Sequence, residues 1–155
     1  MSVSGLEKLD VWCKARDFAV RIHKDVLPLL PVDERWSLNQ QVRRSSQSIP
    51  ANIAEGHGRF YFQDNVRFCY IARGSLEETL SHLVYAYKVS YISEPVYKSF
   101  AVDGENVNRL INGYIGFLKK SKQVANEPGA NYSVREVSPD YTIEDNSLSA
   151  TSSIE

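Results

Sequence analysis

The sequence predicts an all-α fold, an antiparallel up-and-down four-helix bundle followed by a disordered acidic C-terminal tail. Three observations carry this. Apolar residues recur at helical spacing in four long stretches. Short turn signals separate these stretches, and short connections make neighbouring helices antiparallel. No segment alternates apolar and polar residues between turns, as a half-buried strand would.

The first helix is expected from about Asp10, as candidate N-cap, to Leu29, with Val11, Ala15, Phe18, Ile22 and Val26 on one stripe. The second is expected from about Asp33 to His57, with Leu38, Val42, Ser45, Ile49 and Ile53 inward. The third runs from about Gln63 to Tyr91, with Phe62, Val66, Cys69, Leu76, Leu80, Leu83 and Tyr87 aligned. The fourth runs from about Glu94 to Lys120 behind Ser93 as N-cap, with Val96, Phe100, Val107, Leu110, Ile111, Tyr114 and Leu118 inward.

Charge divides the chain at the same place as periodicity does. Residues 1–122 hold 17 Lys and Arg against 13 Asp and Glu, a net +4, whereas residues 123–155 hold one Arg against six acids, a net −5. The expected domains are a mildly basic bundle over 1–122 and an acidic tail over 123–155 whose Ser, Asn and Pro content suits disorder. No apolar run approaches the roughly 20 residues of a membrane helix. The N-terminus, MSVSGLEKLD, lacks the apolar core of a signal peptide. A cytoplasmic protein without a membrane partner is expected.

The second helix contains its own breakers, in SIPANIAEGHGR at residues 48–59. Pro50 removes one helical hydrogen bond and presses on the Ser46 carbonyl, so a bend is expected there. Counted from the turn near Phe60, Ser45, Ser46 and Ser48 come level with Gly74 and Ser75 of the third helix. Small residues on both sides predict a close helix–helix crossing, with serine hydroxyls serving freed carbonyls. Gly56 and Gly58 suit a helix end that needs a positive φ.

These residues also carry a resemblance. LDVWCKARDFAVRIHKDV, LNQQVRRSSQSIPANIAEGHGR and RFCYIARGSLEETLSHL resemble the bacterial four-helix bundle family encoded in intervening sequences of 23S ribosomal RNA genes, also called the S23 ribosomal protein family. The likeness covers about residues 6–120. It implies a left-handed four-helix bundle and assembly into homopentamers. A distant branch of the family is the accessory protein of diversity-generating retroelements, which binds RNA and a reverse transcriptase. The acidic tail has no counterpart in the usual family pattern.

No constellation for catalysis, cofactor or metal emerges. Glu-x-x-His pairs of a di-metal bundle are absent, and His23, His57 and His82 are scattered. Cys13 and Cys69 form no metal spacing. A non-enzyme is expected. Two polar groups stand out instead. Asn52, Glu55 and Glu78 are expected in a polar seam between the second and third helices, with Glu55 paired to Arg59 or Arg67 and Arg44 level with Glu77 and Glu78. Arg43, Arg44, Arg59, Arg67 and Lys14, with Arg16 and Arg73, are candidate contacts for phosphates.

A second apolar face points to assembly. Cys13, Val20 and Leu27 recur every seven residues opposite the Phe18 stripe, and Ile71, Tyr85 and Val89 lie off the main stripe of the third helix. Cys13, Val20, Leu27 and Ile71 are expected at an oligomer interface. The functional expectation is an oligomeric RNA-associated scaffold or accessory protein. The alternative is a protein-interaction module without nucleic acid, recruiting a protein partner through its tail.

Overall fold

The structure is a computed structural model that describes residues 5–121. The acidic tail lies outside the described residues. Four helices form the body: α1 (Asp10–Arg21), α2 (Leu38–His57), α3 (Phe62–Lys88) and α4 (Glu94–Lys120), with no strand among the described residues. α1 packs on α2 and α4, and α3 packs on α2 and α4, so α1 and α3 occupy one diagonal of the bundle and α2 and α4 the other. The expected stripes meet in one core. Ile22, Val42, Ile49, Ile53, Cys69, Leu76, Leu83 and Ile111 are fully buried, while Leu80, Tyr87, Val96, Leu110 and Tyr114 pack against its edge. No helix among the described residues is long and apolar enough to cross a membrane.

Three boundaries differ from expectation, each for a local reason. The first helix does not run straight to Leu29. It passes at Ile22–Val26 into a π-helical turn, in which the Leu27 N–H reaches the Ile22 carbonyl, and then into a 3₁₀ turn at Leu27–Leu29. Pro28 has no N–H to give, so the α-helical ladder ends ahead of it. The wider turn carries one extra residue and rotates the residues beyond it about the helix axis. Leu27, which a straight helix would place outward beside Val20, is therefore buried in the core. The second helix begins at Leu38 and not at Asp33, after a 3₁₀ turn at Val32–Glu34. The third ends at Lys88 because Ser90 takes a left-handed conformation (φ 66), letting the Tyr91 N–H close on the Ala86 carbonyl at 2.8 Å. Asp10 opens α1 without capping it, and Ser93 occupies the cap position of α4 without a side-chain bond.

α2 continues through Pro50 as one helix, and the Ser45 and Ser46 hydroxyls bond the Val42 and Arg43 carbonyls. These lie one turn before the carbonyl that Pro50 frees at Ser46. The tight crossing is real, but its glycine is not Gly74, around which a Cβ would meet nothing within 4 Å. Gly56 makes the approach. A Cβ there would lie 2.8 Å from Asn65 Oδ1, 2.9 Å from Phe68 Cβ and 3.0 Å from the Asn65 carbonyl oxygen. Neither Gly56 nor Gly58 serves through a positive φ; Gly5 is the one glycine with that conformation among the described residues.

The two glycines therefore respond oppositely to alanine. Gly56→Ala forces α2 off the α3 backbone and is expected to cost about 1–3 kcal/mol by urea unfolding, the usual scale of overpacking. Gly74→Ala gains helix propensity in open space and is expected to stabilise by about 0.5–1 kcal/mol. A Gly56→Ala protein as stable as the wild type would refute the close approach.

Candidate nucleic-acid interface

α2 is built with two different faces. Its inner face forms the polar seam with α3. Ser48 Oγ lies 2.9 Å from Ser75 Oγ, and Asn52 Nδ2 donates to the Ser48 carbonyl and hydroxyl, both at 2.8 Å. One turn away, Thr79 Oγ1 lies 2.9 Å from Ser45 Oγ and 2.8 Å from the Ser75 carbonyl oxygen. Both Thr79 and Ser45 are buried. Their two protons satisfy the site in either of two ways. Thr79 donates to Ser45 while Ser45 donates to the Val42 carbonyl, or Thr79 donates to the Ser75 carbonyl while Ser45 donates to Thr79. Burial of these hydroxyls therefore leaves no orphan.

Of the three expected seam residues, Asn52 belongs to the seam. Glu55 has the expected partner Arg59, just past the end of α2, with Nη2 at 2.5 Å, but it is exposed and stands outside the seam. Glu78 stands at the rim and joins the helices by accepting from Arg44 Nη2 at 2.6 Å, with His82 Nε2 at 3.5 Å.

The outer face of α2 begins at a fixed turn. Glu34 accepts bonds from the Ser37 hydroxyl, the Leu38 N–H at 3.2 Å and the Tyr91 hydroxyl at 3.0 Å. It thereby caps α2 from four residues upstream and ties the turn to the α3–α4 connection. These donors, the Ser37 hydroxyl first, hold the Glu34 carboxyl below its ordinary range. Directly after it, Arg35, Trp36, Asn39, Gln40, Arg43, Arg44 and Gln47 line a surface groove of about 400 Å³. No carboxylate lines it. Arg35 and Arg43 form no ion pair among the described residues. Gln47 also borders a second groove, with Arg16, Ala19, Val20, His23 and Pro50, which carries the same face across to α1.

The five basic candidates do not form one patch. Arg43 and Arg44 share the groove at the start of α2. Arg59 lies at the far end of α2, held by Glu55 and stacked over Phe68 with 5.0 Å from guanidinium to ring centroid. Arg67 is on the exposed face of α3. Lys14 lines a groove between α1 and α4 among Asp10, Asp17 and Asp103. Arg16 is paired to Asp17, and Arg73 donates to Asn112 at 3.0 Å. Reasoning from spacing missed Arg35 and Trp36. The available signal was Trp36 itself, a large aromatic off the Leu38–Val42 stripe.

The four interface candidates also separate. Val20 and Ile71 are each 43% exposed. Cys13 is half-buried, its thiol 3.4 Å from the Glu7 carbonyl oxygen under the N-terminal turn. Leu27 is a core residue, carried inward by the π turn, and leaves the set. Cys69 is a core thiol that burial pushes up to about 11.

An up-and-down bundle whose candidate site lies on the outside of its second helix defines the class: an all-α protein that presents a helix surface. No group of three or more His, Cys, Asp or Glu among the described residues is placed to hold a metal ion. The chain belongs to the 23S rRNA-intervening sequence protein family, whose family model matches residues 7–113. It is similar to a protein of unknown function from the S23 ribosomal protein family of Bacteroides thetaiotaomicron VPI-5482, known from a crystal structure at 1.70 Å resolution. The two share 29% sequence identity over 68% of this chain and 95% of that one, with a TM-score of 0.63. No curated protein matches the chain.

The seam and the exposed pair respond differently to mutation. Thr79→Val removes the buried bond between Thr79 and Ser45 across the helices, leaving Ser45 its Val42 carbonyl, and is expected to cost about 1 kcal/mol. Glu55→Ala removes an exposed i,i+4 pair and is expected to cost no more than about 0.5 kcal/mol. Denaturant melts of the two variants side by side check the order; a larger loss at Glu55 would contradict it.

Proposed function

We propose that the protein is a non-enzymatic, oligomeric bundle that associates with RNA, or with DNA, through the outer face of α2. The observation that carries this reading is the carboxylate-free groove with Arg35 and Arg43 unpaired. Arg16, Arg21, Arg44 and Arg59 are paired to carboxylates, whereas Arg35 and Arg43 have none among the described residues and lie together in one groove, with charge to spare for phosphate. Arg44, tied by Glu78, can exchange that exposed carboxylate for a phosphate at small cost. Repetition of the groove around an oligomer multiplies a weak single contact. The acidic segment after residue 122, with its net −5, competes for the same cations.

Assembly is part of the proposal. Val20 faces the α1–α2 groove and Ile71 lies on α3, across the diagonal of the bundle. Exposed apolar residues at two different corners suit a head-to-tail contact, the kind that closes into a ring. A homopentamer is the expected ring.

Fluorescence titration of labelled RNA at two or more salt concentrations tests the binding. Affinity is expected to fall steeply with salt, and Arg35→Ala with Arg43→Ala is expected to lower the log–log salt slope by roughly 1–2. Truncation after Lys122 is expected to tighten binding, with a gain that shrinks as salt rises. No binding at low salt by full-length or truncated protein would leave the protein-interaction reading in its place. Light scattering tests the assembly: a mass near five chains is expected, and Val20→Glu with Ile71→Glu is expected to reduce it while the helical signal persists. A monomeric wild type would end the oligomer proposal.

A further inference from the structure

The groove at the start of α2 contains a residue that the packing of the bundle does not use. Trp36 is 76% exposed. Indole rings ordinarily bury most of their large apolar area. Trp36 is the most exposed of the aromatics among the described residues; Phe60 and Tyr61 meet edge to face, Phe117 stacks on Tyr114, and Tyr85, without a ring partner among those residues, is 52% exposed. Trp36 has Arg35, whose guanidinium lies 5.4 Å from the ring centroid. A ring so open keeps free surface even with Arg35 over part of it.

We propose that this groove binds single-stranded nucleic acid, with an unpaired base stacked on Trp36 and the adjoining phosphates held by Arg35 and Arg43. This rests on the assignment of nucleic acid to the outer face of α2 and narrows it from nucleic acid in general to unpaired strand. The composition of the groove makes the choice. A base within a duplex is already stacked on both faces and offers nothing to an exposed ring. An unpaired base has a free π-face and free hydrogen-bonding edges. Gln40 and Gln47 bring amide donors and acceptors to the groove beside the ring. Asn39 is partly committed, donating to the Leu27 carbonyl at 3.4 Å. A duplex, by contrast, is held chiefly through many phosphate contacts, and two unpaired arginines supply few of them. The turn that carries Trp36 is fixed beforehand by Glu34, bonded at once to Ser37, Leu38 and Tyr91. The ring is thus offered from an ordered position.

Two measurements on the full chain test this. The first uses Trp12→Phe, which removes the other indole; Trp12 lies under Arg16 on α1 and does not line the groove. A short oligouridylate is expected to quench the Trp36 fluorescence of this variant saturably, and an RNA duplex of equal length is expected to quench it little. The second compares affinities for the labelled oligouridylate. Trp36→Ala is expected to lose roughly fivefold to a hundredfold, the range for one stacked base, and Trp36→Phe to stay within about threefold of wild type. Unchanged binding by Trp36→Ala, or equal competition by duplex, would overturn the single-strand proposal and leave the broader reading standing. No binding of either RNA by the wild type would remove both. Loss of oligomer mass in Trp36→Ala alongside loss of binding would identify the ring as a subunit contact and also overturn the proposal.

Discussion

The bundle depends on how closely α2 can lie on α3. That closeness is set by side chains that are absent or small. Gly56 leaves the space that Asn65 and Phe68 need. Ser45, Ser48, Ser75 and Thr79 fill the rest of the contact with short hydroxyls that bond across it. Larger apolar side chains would push the helices apart, and unpaired polar ones would be costly in a buried contact. The pairing also fixes register. A hydroxyl seam accepts one alignment in which every donor has an acceptor, and that alignment brings Arg44 to Glu78. α2 is therefore held along much of its length on the inside, and its outer face inherits a defined geometry.

Electrostatics then sorts the surface. The body carries a modest excess of positive charge, but its distribution matters more than its sum. Lys14 and Arg21 sit among Asp10, Asp17 and Asp103 in the groove between α1 and α4, and Arg21 is paired directly to Asp103. Arg59 closes on Glu55 and Lys98 on Glu94, each four residues along the chain. Such cations are neutralised locally and contribute little field at a distance. The groove at the start of α2 is different in kind, since no acid lines it. An aromatic ring and amide side chains in the same groove make it chemically suited to a ligand that combines negative charge with flat, hydrogen-bonding surfaces.

Much of this fold was legible in the sequence because burial at helical spacing leaves a strong pattern. The stripes from Val11 to Val26, Leu38 to Ile53 and Val96 to Leu118 were readable, and so was the register that brings serines of α2 to Ser75. What was illegible has specific causes. The π turn at Ile22–Val26 leaves no periodic signature, so Leu27 read as an outward residue although it lies in the core. Gly74 and Gly56 look alike in a sequence; only the distance between backbones shows that one is free and the other crowded. Glu55 read as part of the seam because it shares a flank with Asn52, three residues before it, whereas its side chain is exposed and turned to Arg59. Arg35 and Trp36 were expected inside a helix from about Asp33, whereas they lie in the turn before Leu38, and their alignment with Arg43 arises from a cap that Glu34 makes at a distance.

We propose that nucleic acid is held on the outer face of α2, opposite its seam with α3. Photo-crosslinking locates that contact directly. A single-stranded RNA carrying 4-thiouridine would be irradiated with the full chain, and the adducts mapped by mass spectrometry of the digested protein. The account predicts adducts concentrated on the segment from Arg35 to Gln47, with Trp36 foremost. Adducts concentrated instead on the groove between α1 and α4, around Lys14 and Arg109, would contradict it.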